Sequence, residues 1–427
     1  MKQLKDSFLL AFLIIFCIGC TGNEPETGNN NGDDPDPDPD PETETAWLTN
    51  EKIPIMAWFS IPASETSLER YQELADAGFT HNLMAFSSHD QLDRAMDAAN
   101  AVGVKMMLWY TKIDTETAST VNRFKNHPAM WAYFVMDEPE YKDFAGCAAM
   151  SQKITALDDT HFCYVNLYPL WSASDTWGAS SYREYVRGAI EQIPNLEFIS
   201  FDHYMVRLNT SNGSLYLNST WENNYRIVSE EAQRAGMPFW TFICSIKWAA
   251  GIPKPSLNSM RWYAYTALAY GSQGIQYYTY EDDTNLTWSD APYDYSTRQK
   301  TETYYFAQEL NREIQNFAKV FLNATVLEVK HTGTPNDAHR LEQAPAVFKT
   351  FETGTTGAVT SLLEKGDKMF FVVVNRDVNL DLEVRIEADE SVRQVTKYGT
   401  LKMLDGLQTE KLTPGDIRVY TWPKEEN

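Results

Sequence analysis

The sequence predicts an α/β chain: a (β/α)8 TIM barrel followed by a C-terminal antiparallel β-sandwich domain. Three observations carry that prediction. Between residues 53 and 321, short apolar runs alternate eight times with amphipathic stretches. The first run passes into Ser60-Ile61-Pro62-Ala63-Ser64, which is no glycine-rich phosphate loop and so disfavours a doubly wound open sheet. After residue 322 the pattern changes to strand-like runs separated by turn residues.

The paired runs are 53–59 with 67–77, 81–86 with 90–101, 104–110 with 115–126, and 131–136 with 141–157. They continue with 162–167 and 181–192, 198–203 and 221–234, 239–243 and 257–270, and 275–280 and 301–321. The strand members are mostly continuous apolar runs, as strands covered on both faces should be. Gly78, Gly103 and Gly236 stand where helix C-termini are expected. In the last domain the runs are 325–330, 358–363, 368–374, 380–386, 393–397 and 416–422, and residues 412–420 read as a closing hairpin. The domain boundaries are 1–19, 20–46, 47–322 and 323–427.

The first of these segments is not part of the fold. Lys2 and Lys5 precede an apolar run at 8–18, too short to cross a bilayer as a helix. It ends in Cys17-Ile18-Gly19-Cys20, which resembles a bacterial lipobox with Cys17 where Leu is usual. The resemblance implies a lipoprotein signal peptide and a lipid on Cys20; the alternative is a plain secretory peptide cleaved elsewhere. Residues 20–46 follow as a disordered acidic tether. Nine carboxylates and no Lys or Arg fall in 23–45, with prolines between them, so the segment repels itself and stays extended.

Net charge is −23, and the chain outside the tether remains acidic. That argues against nucleic acid and polyanions and suits neutral or basic ligands. Aromatic residues make up 13% of the chain, enough to line a sugar groove as well as a core. Cys147, Cys163 and Cys244 form no disulfide framework, and seven His show no zinc spacing, so neither a metal nor a cofactor is expected.

In a TIM barrel the reactive groups sit at the C-terminal ends of the strands. The fourth run ends in Met136-Asp137-Glu138-Pro139. Cleaving a glycosidic bond needs one carboxylic acid to protonate the leaving oxygen and one carboxylate to act on the anomeric carbon or on water. Asp137, if desolvated beside Glu138, would keep Glu138 protonated near neutral pH. The plainer reading is a pair of acids favoured by a helix N-terminus. For the second carboxylate, the eighth run offers Glu281, with Asp282 and Asp283 behind it, and the sixth offers Asp202. Glu281 is slightly preferred. Asp137, His203, Tyr204, Asn166, Tyr168, Trp58, Trp109, Tyr278 and Trp248 are the candidate sugar-binding residues.

The ending of strand four resembles the large clan of barrel glycoside hydrolases whose acid/base Glu follows strand four in an Asn-Glu-Pro motif. Asp137 stands where Asn is usual, while Glu138 and Pro139 match. The resemblance covers the barrel layout and this tripeptide. It implies a glycosidase with Glu138 as proton donor. The clan's nucleophile is a Glu on strand seven, and here that strand reads Phe239-Trp240-Thr241-Phe242-Ile243-Cys244-Ser245, without an acid. Together with the lipobox and tether, the chain resembles the anchored lipoproteins of glycan-degrading Bacteroidota-type bacteria. That implies an oligo- or polysaccharide substrate and an outer-membrane location facing the cell surface or periplasm, with membrane contact through the lipid alone. The missing acid supports a second reading, a non-catalytic glycan-binding lipoprotein on a degenerate barrel. A metal-dependent deacetylase or amidohydrolase would need paired His and Asp ligands that the sequence lacks.

Overall fold

A computed structural model describes residues 45–172, 174–282, 287–333 and 339–425. Cys20, the expected signal peptide, most of the expected tether and Asp283 therefore lie outside the described residues. Thr45 and Ala46 do not: the end of the expected disordered segment is a short strand, paired with Leu401 and Thr400.

Among the described residues, eight parallel strands close into a barrel in chain order. They are β1 (Ile55–Trp58), β2 (His81–Phe86), β3 (Lys105–Tyr110), β4 (Met130–Asp137), β5 (Phe162–Leu167), β6 (Ile199–Phe201), β7 (Phe239–Cys244) and β8 (Gly274–Tyr278). Ile275 opposite Ile55 completes the circle. The helices that follow them are α1 (Leu68–Asp76), α2 (His89–Ala101), α3 (Thr117–Phe124), α4 (Phe144–Thr155), α5 (Tyr182–Gln192), α6 (Trp221–Ala235), α7 (Leu257–Ala269) and α8 (Glu302–Asn316). Local chemistry sets several starts: Ser67, Ser88, Ser181, Ser256 and Thr301 each accept a backbone N–H of the helix they open. α6 stops at Gly236, in the left-handed conformation.

Aromatic rings fill the barrel. Toward the strand starts, Trp240 stacks on Phe198 at 4.1 Å and on Trp131 at 5.2 Å. Higher up, Trp58 contacts Phe242 at 5.2 Å, Phe134 at 5.8 Å and Tyr164 at 5.9 Å. Trp58 is thus 2% exposed and belongs to the core, not to a sugar platform as the sequence suggested.

The C-terminal domain comprises β9 (Thr325–His331), β10 (Phe348–Thr353), β11 (Ala358–Lys365), β12 (Lys368–Asn375), β13 (Leu382–Ala388), β14 (Arg393–Val395), β15 (Thr400–Met403), β16 (Gln408–Leu412) and β17 (Ile417–Pro423). The larger sheet runs Thr45–Ala46, β15, β14, β17, β12, β11, β9, and the smaller one β10, β13, β16. β16 and β17 lie in different sheets, so residues 412–420 form a crossover and not the expected hairpin. β12 explains its own continuous apolar sequence: Phe371 and Val373 face the small sheet, while Phe370, Val372 and Val374 join the barrel core. The large sheet is therefore a middle layer. α7 lies between it and the barrel and is buried on all sides. Across this junction Trp262 Nε1 donates to the Arg376 carbonyl at 2.9 Å, while Arg261 pairs with Glu313 of the neighbouring barrel helix α8.

Gly415 lies close against α7: a Cβ there would be 2.5 Å from the Asn258 carbonyl oxygen and 2.6 Å from Trp262 N, at φ +73°. Gly415→Ala is expected to cost about 2 kcal/mol or more in urea unfolding. Gly406→Ala, at φ +62° with open space around it, isolates the conformational part and should cost less.

Candidate active site

The ladder between β4 and β5 carries an irregularity between Phe134 and Met136, and beyond it Asp137 lies opposite Asn166 at the strand ends. Such a bulge re-aims the side chains that follow it. Glu138 then takes φ +46°, a left-handed conformation that strains a non-glycine residue by about 1–3 kcal/mol. Its N–H donates to the Asn166 carbonyl at 2.8 Å, which holds the turn.

Asn166 organises the site. Its Nδ2 donates to Asp137 Oδ1 at 3.1 Å and to Asp202 Oδ1 at 3.0 Å. Its Oδ1 accepts from Ser200 Oγ at 2.9 Å. Ser200 in turn accepts from Gln276 Nε2 at 2.8 Å, and Gln276 Oε1 accepts from the Tyr164 hydroxyl at 2.8 Å. Side chains from β5, β6 and β8 thus lock the amide in one orientation.

Asp202 favours the protonated form of Glu138, through its charge and as a hydrogen-bond partner. Asp137 is open to the mouth, Glu138 is half-buried and Asp202 is buried. Burial raises the pKa of Glu138, and the charges of Asp202 and Asp137 raise it further. Burial and Asp137 likewise raise Asp202, against hydrogen bonds from Asn166 and Tyr204. Asp137 has an open outer edge, yet the crowded walls of the mouth push it up to about 6, with Asn166 opposing. Near neutral pH the cluster therefore carries an ionised Asp137 beside a pair that retains one proton, because adjacent buried carboxylates do not all ionise.

Tyrosines surround these acids. Burial and the neighbouring carboxylates push Tyr168 up to about 12 and raise Tyr204 and Tyr278 well above the ordinary range, so all three remain proton donors. The rings make a continuous wall: Tyr204 lies 5.3 Å from Tyr278 and 6.0 Å from Trp248, and Phe59 lies 5.9 Å from Trp109. Phe59 and Trp288 joined this wall without a sequence signal. Trp288 sits in the irregular β8–α8 connection, 5.6 Å from Tyr278, where no periodicity marks it.

Two expected residues are elsewhere. His203 is fully buried on the outer side of the barrel wall, with Nε2 3.4 Å from Thr220 Oγ1 at the start of α6. Burial lowers its pKa to about 3, leaving a neutral structural ring. Asp202 and Tyr204 flank it and face the mouth, as alternation along an extended chain requires. Glu281, the preferred second carboxylate, is held away from Glu138: its Oε2 accepts from Arg70 Nη2 at 2.7 Å. Arg70 also pairs with Glu73 at 2.6 Å and lies over the Tyr293 ring. Asp202 takes the place beside Glu138. At the end of β7, Ser245 Oγ donates to the Thr279 carbonyl at 2.7 Å and Cys244 is buried.

No family model matches the chain, and no curated protein matches it. Solved structures match in shape. A glycoside hydrolase of family 5 from Bacteroides vulgatus aligns with TM-score 0.53 and 12% identity over 87% of this chain and 89% of that one. A catalytic mutant of a GH42 β-galactosidase from G. stearothermophilus aligns with TM-score 0.57 and 7% identity over 90% of this chain and 100% of that one. A β-galactosidase from Marinomonas ef1 aligns with TM-score 0.46 and 10% identity, and the chain spans 60% of its length. The chain has the fold of the barrel glycoside hydrolases, with a β-rich C-terminal domain.

The raised carboxyls have a consequence for stability. The folded chain retains protons that the unfolded chain releases above the ordinary carboxylate range, so unfolding free energy falls as pH rises through the raised values. Glu138→Gln keeps shape and a donor toward Asp202 but removes the titration. The variant should be more stable than wild type by about 1–2 kcal/mol at pH 8, with a smaller gap at pH 5. A gap independent of pH in denaturant unfolding would contradict the retained proton.

Proposed function

We propose that the protein is a glycoside hydrolase that cleaves O-glycosidic bonds of a neutral oligo- or polysaccharide, with Glu138 as the proton donor to the departing oxygen. The observation that carries this reading is the cluster of Asp137, Glu138 and Asp202 tied to Asn166 at the mouth of a glycoside-hydrolase-type barrel, where burial favours the protonated form of Glu138. A general acid works best with a pKa near the working pH, and burial, reinforced by Asp202 and Asp137, raises that of Glu138. Asp202 is a positioning residue, acting through Glu138. Tyr168, Tyr204 and Tyr278 offer hydroxyls, and Trp109 and Trp248 offer ring faces, to a sugar seated over the cluster. Glu281, neutralised by Arg70, has a structural part.

A second reading, glycan binding without cleavage, draws on one feature: β7 ends in Cys244-Ser245, where a carboxylate nucleophile would be expected. Under either reading we place the protein on the bacterial outer membrane, anchored through a lipid on Cys20, on the strength of the lipobox-like sequence and the acidic, proline-rich residues behind it.

Glu138→Gln should lower turnover of a natural oligosaccharide by about 10²–10⁴-fold, and that of activated aryl glycosides less, because their leaving groups need little protonation. Retention of wild-type turnover would misplace the site. Asp202→Asn removes the charge that raises Glu138, so the alkaline limb of kcat/KM should move to lower pH; Glu281→Gln should change melting temperature more than rate. Cys20→Ala should release the protein from the membrane fraction, and an unchanged distribution would refute the anchor.

A further inference from the structure

Resting on the glycosidase reading, we propose that the nucleophile is supplied by the substrate: the site is built for a sugar carrying a 2-acetamido group, whose carbonyl oxygen attacks its own anomeric carbon while Asp137 holds the amide N–H and Glu138 serves as acid and then base.

Three features lead there. First, the acids occupy one side of the mouth. Asp137 and Glu138 leave β4 and Asp202 leaves β6, with Asn166 of β5 tied to Asp137 and Asp202. Facing them, the described ends of β7 and β8 present Cys244, Ser245, Tyr278 and Thr279; behind them Glu281 is bound to Arg70 and Asp282 accepts the Tyr295 N–H at 2.8 Å. Two carboxylates that flank a sugar stand about 5 Å apart for a protein nucleophile or about 6.5–9.5 Å apart for an intervening water. Asn166 Nδ2 lies 3.1 Å from Asp137 and 3.0 Å from Asp202, so these acids form one cluster with Glu138 and are not two groups set across a sugar.

Second, Asp137 and Glu138 differ in the way this chemistry needs. They are consecutive, the left-handed backbone at Glu138 breaks the simple strand alternation between them, and Asp137 is the one most open to a ligand. Asn166 fixes Asp137 through one oxygen and leaves the other without a protein partner among the described hydrogen bonds. An ionised carboxylate so placed accepts an amide N–H and stabilises the positive charge that the amide acquires. Third, the hydrophobic surface beside Asp137 suits a methyl group: Tyr204, Tyr278 and Trp248 pack with ring separations of 5.3 and 6.0 Å.

The step balances without a further reagent. The acetamide oxygen forms a bond to C1 as the C1–O bond to the aglycone breaks, and Glu138 passes its proton to the departing oxygen. The nitrogen proton passes to Asp137, leaving a neutral oxazoline. Water then adds to C1 and gives a proton to Glu138, the ring C–O bond opens, and Asp137 returns its proton to nitrogen. The sum is glycoside plus water giving two alcohols, with configuration retained.

The test uses the full chain and matched pairs of 4-nitrophenyl β-glycosides, mono- and disaccharide, of gluco and galacto configuration. Each pair carries 2-acetamido or 2-hydroxyl on the sugar joined to the aryl group. Cleavage should be confined to the acetamido members, with discrimination on the order of 10⁴-fold, since the 2-hydroxyl analogue leaves Asp137 unpaired. Replacing acetamido by trifluoroacetamido should slow turnover, because the carbonyl oxygen becomes a poorer nucleophile. Asp137→Asn should remove that sensitivity along with most of the rate. Comparable cleavage of the 2-hydroxyl members, dependent on Glu138, would overturn the inference and leave the glycosidase reading standing. Cleavage of no member of any pair, or turnover of a natural oligosaccharide unaffected by Glu138→Gln, would overturn both.

Discussion

Asn166 has one amide nitrogen and directs it at two carboxylates from two different strands. Everything distinctive about the mouth follows from that pair of bonds. With the Ser200–Gln276–Tyr164 chain fixing the amide's orientation from below, the nitrogen cannot turn to solvent, and Asp137 and Asp202 are drawn toward one point. Glu138, anchored by its own N–H on the Asn166 carbonyl, is brought into the same small volume. Three acids then compete for fewer charges than they would carry in water, and the competition leaves a proton available for chemistry. The aromatic filling of the barrel matters here because it supplies an apolar floor of low dielectric response in water's place. Trp58, Phe134 and Phe242 pack together there, so the burial that raises each carboxyl's pKa comes from the core itself.

The second constraint is architectural. The barrel does not end at its helices, because α7 is covered by the large sheet of the C-terminal domain, and Phe370, Val372 and Val374 complete the barrel's own core. α7 connects β7 to β8, the two strands that form the wall opposite the acids. The C-terminal domain thereby holds the helix on which that wall depends.

The barrel was legible because parallel strands covered on both faces write themselves as uninterrupted apolar runs, and the strand ends then nominate Asp137, Glu138, Asn166, Tyr168, Asp202 and Tyr204 by position alone. What position cannot convey is facing. His203 looked as available as its neighbours, and only the short β6 decides that it turns outward to Thr220. Nor does a strand end reveal a distant partner. Glu281 meets Arg70, 211 residues away, and an arginine on an amphipathic helix reads as a surface residue. In the C-terminal domain β10, β15 and β16 leave no apolar run, because their sequences, Phe-Lys-Thr-Phe-Glu-Thr, Thr-Leu-Lys-Met and Gln-Thr-Glu-Lys-Leu, are largely polar. The crossover between β16 and β17 is likewise invisible to a pattern that records turns but not sheets.

Thr45 and Ala46 make a two-residue zipper on the free edge of β15, with Trp47 N bonded to the Gly399 carbonyl at 2.7 Å just behind it. Any pull on the chain ahead of residue 45 is felt first by these few bonds and by the edge of the large sheet. That edge lies in the C-terminal domain, so a tug is absorbed there before it loads β1, the first strand of the barrel. The arrangement is a strain relief of the kind fitted where a cable enters a housing: the entry point gives, and the wiring inside stays in register.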